Sequence, residues 1–286
     1  MLKQRVITAI VLLAILLPAL FYPTPQPFCA VALVLIAAGA WEWGRLNGYG
    51  QGVSVGLGLV CVAACALSWY GGLLEKSLPM LWAAAGAVWV LAGGWLLRNG
   101  VAGWPRIPKA LRLVAGLVAL WLAWLAVAQA RVAGINFLLS VLLLVWVADI
   151  FAYFAGRTFG GRFSKGKLAP SISPGKSWEG VWGGMAGVVV LSLAWVYAGT
   201  AAGGAGFWGE ATLYSRLVAN HGLVIMLLAV VFLAAMSVVG DLVESLIKRS
   251  AGVKDSSGLL PGHGGVLDRV DALLPTLPLA MMLVTL

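Results

Sequence analysis

Long apolar segments separated by short polar connections constrain the fold of this chain more than any other feature. Nine stretches have the length and apolarity of membrane spans, for which about 20 apolar residues are needed. They lie at residues 6–22, 28–43, 53–70, 78–97, 110–130, 134–156, 181–199, 222–247 and 270–286. A composition of 62% hydrophobic and 10% charged residues excludes a water-soluble enzyme and a disordered regulator. We therefore predict an all-α, polytopic integral membrane protein with about nine transmembrane helices.

The basic residues predict the orientation of these helices. If the nine segments alternate in direction, 16 of the 19 Lys and Arg residues fall on one side and only Lys76, Arg131 and Arg216 on the other. The positive-inside rule places the richer side, with the N-terminus, in the cytosol. A cleaved signal peptide is the alternative for the first segment, but further spans follow it without a clear cleavage site, so we expect a retained helix. Cations confined to short loops also argue against a nucleic-acid partner.

Acidic residues divide the chain into two regions. Only Glu42 and Glu75 precede residue 134, whereas eight carboxylates follow it. We therefore predict an N-terminal helical scaffold at 1–133 and a C-terminal catalytic region at 134–286. Three cysteines lie inside apolar runs without a CxxC motif, which supports neither a zinc site nor a disulfide framework.

Two predicted spans carry acids near their cytosolic ends. Asp149 lies inside the sixth segment, where an ionised side chain costs about 2.5–3.5 kcal/mol and usually faces a pocket or a partner. A buried pair between this Asp and an arginine, joining two helices, is the alternative. Asp241 and Glu244, three residues apart in the eighth segment, share one helix face. They fit either a metal and phosphate site or a helix end that enters water near Lys248 and Arg249.

Two cytosolic loops contain the remaining polar chemistry. The loop KDSSGLLPGHGGVLDRVD combines opposite charges with glycines around His263, and its Asp268 and Asp271 either act in the site or cap the last helix. The loop GRTFGGRFSKGKLAPSISPGKSWEG has five basic residues and one acid, which suits binding of a polyanion. Lys176 and Glu179 stand out in it because both immediately precede a span.

These groups favour one class of chemistry. Carboxylates that hold Mg²⁺ while substrate phosphates complete its shell, with Lys and Arg neutralising the remaining charge, are typical of phosphoryl or nucleotidyl transfer. An ion-coupled membrane transporter of an anionic substrate is the alternative. A transporter would be expected to show similar halves or helices broken near the midplane, whereas these acids cluster at one face of the C-terminal region.

Three segments resemble the phosphatidate cytidylyltransferase (CDP-diacylglycerol synthase) family. The run SLIKRSAGVKDSSGLLPGHGGVLDRVD, from Ser245 to Asp271, matches the C-terminal signature of that family without a break. SPGKSWEG and ADIFAYFAGRTFG also look like family segments. Gly175 departs from the pattern, because a second Lys often stands at that place in the family.

The resemblance implies transfer of CMP from CTP to phosphatidate, giving CDP-diacylglycerol and pyrophosphate for phospholipid biosynthesis. It implies metal binding by Asp241 and Asp268, with Asp149 and Glu244 as supporting candidates. The catalytic group then comprises Asp149, Asp241, Lys248, Arg249 and Asp268. The substrate phosphates are assigned to Ser173, Lys176, Lys248, Arg249, Lys254, His263 and Arg269. His263 either orients a phosphate or satisfies the loop backbone.

The resemblance also implies the cofactor and the setting. Mg²⁺ is the expected cofactor, and the number of acids indicates a second cation such as K⁺. The expected partners are CTP, phosphatidate and the lipid bilayer, and the expected protein partner is a second copy of the chain in a homodimer. The expected location is a bacterial plasma (inner) membrane, with the active site facing the cytosol.

Overall fold

Helices form almost all of the fold. A computed structural model describes residues 2–164, 166–203 and 206–285. The helices are α1 Leu2–Phe21, α2 Gln26–Leu46, α3 Gln51–Tyr70, α4 Pro79–Asn99, a 3₁₀ helix Val101–Arg106, α5 Lys109–Ala133, α6 Ile135–Phe159, α7 Trp178–Ala201, α8 Gly206–Gly209, α9 Leu213–Ser250, α10 Leu267–Val270 and α11 Leu273–Thr285. The prediction of an all-α integral membrane protein is confirmed. Lys165, one of the predicted cytosolic cations, lies outside the described residues.

The structure supports eight of the nine predicted spans. Within the described residues, α1–α7 and α9 are long and apolar enough to cross a membrane. The last predicted span, 270–286, instead holds the 13-residue helix α11, whose length of about 20 Å is short of the roughly 30 Å hydrocarbon core. Residues Pro275–Met281 of α11 are all buried, and α11 packs against α4, α5 and α9. Its apolar sequence therefore reflects burial inside the bundle.

Helix α9 contains a break at its predicted beginning. Gly222 has φ 81° and ψ 169°, so the 38 residues of α9 form two helices joined at this glycine. A positive φ is readily adopted only by glycine. The predicted span 222–247 begins at this glycine. The structure adds the helical turns that precede it, from Leu213 onward.

The basic loop after α6 folds into a small hairpin. Strands β1, Lys167–Ala169, and β2, Ser173–Ser177, pair antiparallel, with Lys167 opposite Ser177. Ser177 then caps α7, because its side chain accepts a hydrogen bond from the Gly180 amide. This cap fixes the end of β2, and with it Lys176, at the start of α7.

The N-terminal end of α1 lies on the same face as the signature loop, residues 251–267 from the end of α9 to the start of α10. The Thr8 hydroxyl donates a hydrogen bond of 2.9 Å to the Pro261 carbonyl, and Gly262 packs against Arg5. At the opposite ends of the helices, Arg131 of α5 donates to the Leu20 carbonyl at the end of α1. The predicted direction of α1, with its N-terminus on the side of the signature loop, therefore agrees with the structure. That this side faces the cytosol stays a prediction.

Candidate active site

Close packing of α6 against α7 shapes the region around the predicted site. A side chain at Gly184 would lie 2.8 Å from the Ala148 carbonyl oxygen, and one at Gly180 would lie 3.0 Å from that of Ala152. Only glycine allows the two backbones to approach this closely. The contact brings the C-terminal half of α6, which carries Asp149, beside the end of the hairpin, which carries Lys176.

Three predicted residues share one pocket. Asp149 from α6, Lys176 from β2 and Asp241 from α9 line a cavity of about 510 Å³. Lys176 Nζ lies 2.5 Å from Asp241 Oδ2, and both side chains are partly exposed. Asp149 interacts electrostatically with both partners. Among the described residues, Asp149 makes no ion pair with an arginine; Arg157 instead donates to the Tyr153 hydroxyl. The alternative of a buried Asp–Arg pair is therefore not supported.

Asp271 lies close to Asp241. It stands between α10 and α11, outside the spans, and its Oδ1 accepts a hydrogen bond of 2.8 Å from the Ala272 amide. Burial, together with the negative charge of Asp241, raises the pKa of Asp271 to about 7. Its backbone also packs directly against Gly240, next to Asp241. Asp271 therefore makes a local capping contact and contributes to the electrostatics of the pocket.

A second cluster is centred on Lys248. Its Nζ lies 2.5 Å from Glu244 Oε2 and 2.5 Å from Asp268 Oδ1. Asp268 Oδ2 also accepts from the Ser256 amide, the Ser256 hydroxyl and the Gly265 amide at 2.7–2.8 Å. Burial opposes ionisation of Asp268, but these hydrogen bonds and Lys248 outweigh it and hold its pKa below the ordinary value. The structure thus brings Lys248, Glu244 and Asp268 together as one ion-paired group.

The other predicted residues lie outside the lining of the shared pocket. Arg249 donates to the Val253 carbonyl, and Arg269 donates to the carbonyl of His263. The Nδ1 atom of His263 is buried and has no hydrogen-bond partner among the described residues. Lys254 is exposed in the signature loop. Ser173 opens β2 opposite Ala169.

Two buried glutamates organise the loops around the site. Glu179 Oε1 accepts hydrogen bonds from the Phe163 amide and from the amide and hydroxyl of Ser164, at 2.8–3.1 Å. The carboxylate of Glu42 in α2 accepts hydrogen bonds from both ends of the signature loop. Sequence reasoning assigned no role to Glu42, although an acid inside a predicted span was a signal that pointed to it.

The pocket fits part of a magnesium shell. Mg²⁺ is typically held by one or two protein carboxylates, with waters and substrate phosphates as its other ligands. Asp149 and Asp241 supply two such carboxylates in one cavity. Within the described residues, no three His, Cys, Asp or Glu side chains converge as a ready metal site. The donor set therefore suits a metal that binds together with a phosphate substrate.

Comparison with known proteins agrees with this chemistry. The sequence model of the cytidylyltransferase family matches residues 3–286. The phosphatidate cytidylyltransferase of Pseudomonas aeruginosa is 40% identical over 97% of this chain and 95% of its own length. That of Haemophilus influenzae is 35% identical over 97% and 96%, and that of Bacillus subtilis is 37% identical over 54% and 49%. The chain therefore belongs to the cytidylyltransferase family of enzymes.

Proposed function

We propose that this protein transfers CMP from CTP to phosphatidate, giving CDP-diacylglycerol and pyrophosphate. The observation that carries the proposal is the pocket in which Asp149, Asp241 and Lys176 meet between the membrane-spanning helices α6, α7 and α9. Such a place is accessible to a lipid phosphate from the bilayer and to a nucleotide from water. The full-length similarity to two phosphatidate cytidylyltransferases supports this reading over an ion-coupled transporter.

The reaction needs no protein nucleophile. An oxygen of the lipid phosphate forms a bond with the α-phosphorus of CTP, and the bond from that phosphorus to the bridging oxygen of pyrophosphate breaks. A phosphomonoester with a second pKa of about 6 is largely ionised at neutral pH and can attack directly. The main obstacle is repulsion between two anions, which fixed positive charge reduces. Lys176, in the pocket, is suited to neutralise substrate phosphates.

Asp149 and Asp241 would hold Mg²⁺, with Asp271 adding negative charge nearby. When bound, Mg²⁺ would offset charge on the phosphates and on the departing pyrophosphate. Asp268 and Glu244 stay candidates for the metal shell, and K⁺ stays the candidate for a second site. We further propose a bacterial inner-membrane location with the pocket facing the cytosol. A homodimer also stays a proposal.

A purified-protein assay tests this function. We expect pyrophosphate release that requires CTP, phosphatidate and Mg²⁺ together, and competition by dCTP, UTP and ATP measures the nucleotide preference. A folded preparation that releases no pyrophosphate under these conditions would contradict the proposal and favour transport. Inorganic phosphate in place of phosphatidate serves as the control for a lipid acceptor.

A further inference from the structure

The carboxylate of Glu42 reaches from the N-terminal region into the signature loop. Glu42 lies near the end of α2 and is 0% exposed. Its Oε1 accepts hydrogen bonds from the Ser257 hydroxyl (2.5 Å) and the Val266 amide (2.9 Å). Its Oε2 accepts from the Ser256 hydroxyl (3.1 Å) and the Leu267 amide (2.8 Å). Four donors from two ends of one loop therefore converge on a single side chain.

These donors match the hydrogen-bonding capacity of an ionised carboxylate. Such a group is acceptor-only, with about four lone-pair sites. Among the described residues, Glu42 takes part in no ion pair, so neutral amides and hydroxyls compensate its buried charge. A charge buried in this way persists in a fold only when its hydrogen bonds are satisfied. The loop and Glu42 consequently depend on each other for their conformation.

The same loop conformation places Asp268. The Ser256 hydroxyl lies within hydrogen-bond distance of both Glu42 Oε2 and Asp268 Oδ2, and one hydroxyl proton serves only one acceptor at a time. Gly265 fits between Ser256 and Glu42, where a Cβ atom would collide with both. The loop is thus hydrogen-bonded both to Glu42 and to Asp268.

We infer that Glu42 is a positioning residue for the active site, acting through the signature loop on Asp268 and Lys248. It lies outside the lining of the pocket that contains Asp149 and Asp241. The inference rests on the proposed function for its kinetic consequences. It gives the N-terminal region a direct part in arranging the site. The distribution of acidic residues along the sequence had predicted a site formed by residues 134–286 alone.

Glu42→Gln is the sharpest test. Whichever oxygen is replaced, the new amide NH₂ faces a backbone N–H, of Val266 or of Leu267, and two donors oppose each other. We expect kcat per folded molecule to fall at least tenfold. Hydrogen exchange should become faster across residues 254–267 and stay unchanged across 166–177. Glu75→Gln, the same chemical change at an exposed position between α3 and α4, should leave kcat and exchange unchanged.

A milder variant keeps the test decisive if Glu42→Gln fails to fold. Ser257→Ala removes one of the four donors and introduces no opposed donor, so we expect a two- to fivefold loss of kcat with faster exchange in the loop. Wild-type kcat in Glu42→Gln, or in Ser257→Ala if only that variant folds, would overturn the inference, as would unchanged loop exchange. If the wild-type protein itself releases no pyrophosphate, the proposed function fails, while the exchange comparison still tests whether Glu42 orders the loop.

Discussion

Individual carboxylates near the site differ in how many lysines and hydrogen-bond donors of the protein they contact. Asp241 has one lysine and a 3.2 Å hydrogen bond from Ser245, and it faces a cavity. Asp268 has Lys248 and three further donors within the protein. A carboxylate that faces a cavity can exchange its partners for substrate or metal, whereas a fully paired one also supports the local fold. The two residues should therefore respond differently to the same substitution.

Asp→Asn substitutions at the two positions test this difference. Asp241→Asn should reduce turnover at least 100-fold with the unfolding midpoint nearly unchanged, because it removes charge from the pocket. Asp268→Asn should abolish turnover and also lower stability by about 1–3 kcal/mol, because its amide opposes buried donors. Pyrophosphate release and thermal unfolding in detergent measure the two effects. Near-wild-type turnover in both variants would refute the assignment of these acids to the site.

The pKa of Asp271 predicts a pH dependence of stability. Burial and the charge of Asp241 raise this pKa to about 7, above the roughly 3.9 expected in the unfolded chain. The stability from this group is fully present below the unfolded value and is lost as pH rises through about 7. In metal-free protein, we expect the unfolding midpoint to decrease as pH rises from about 4 to about 7, relative to that of Asp271→Asn. Parallel profiles for the two proteins would contradict the prediction.

At the level of helices, sequence patterns located the spans well but did not separate lipid exposure from internal burial. Each of the seven segments from 28–43 to 222–247 corresponds to one observed helix, with 78–97 and 134–156 beginning one residue before theirs. The segment 270–286 has the same apolarity, yet α11 is short and enclosed by other helices. Hydropathy responds to the absence of water, and a protein interior and a bilayer are alike in that respect. Only the tertiary packing distinguishes them.

The α6–α7 contact gives a prediction at this scale. Gly184→Ala would place a methyl group 2.8 Å from the Ala148 carbonyl oxygen, and such overpacking typically costs about 1–3 kcal/mol. Because α6 carries Asp149, we expect lower kcat together with a lower unfolding midpoint. Gly56→Ala in α3 is a matched control, since nothing lies within 4 Å of the added Cβ. It should be neutral or stabilising by up to about 1 kcal/mol. Equal stability of the two variants would argue against close packing as the reason for Gly184.

For the whole molecule, local sequence patterns explain which polar groups collect at one face but not how they pair. The direction of each helix followed from charge counts, which brought Asp149, Lys176 and Asp241 to one face in the prediction, and the structure places them in one pocket. The contact of Glu42 with Leu267 joins residues 225 positions apart. No periodicity or loop composition contains that information. The division at residue 134 remains a prediction, and Glu42 links its two sides.

The orientation of this face in the membrane is the last prediction. The described structure puts the signature loop, the start of α1 and the end of α2 together, and the excess of Lys and Arg on that side predicts that it is cytosolic. Lys254→Cys and Glu75→Cys place thiols at exposed positions on opposite faces, while the native Cys29, Cys61 and Cys65 are buried. An impermeant maleimide should label Lys254→Cys only in inverted vesicles and Glu75→Cys only in intact spheroplasts. The reverse pattern would place the pocket outside, where cytosolic CTP does not reach it, and would contradict the proposed orientation.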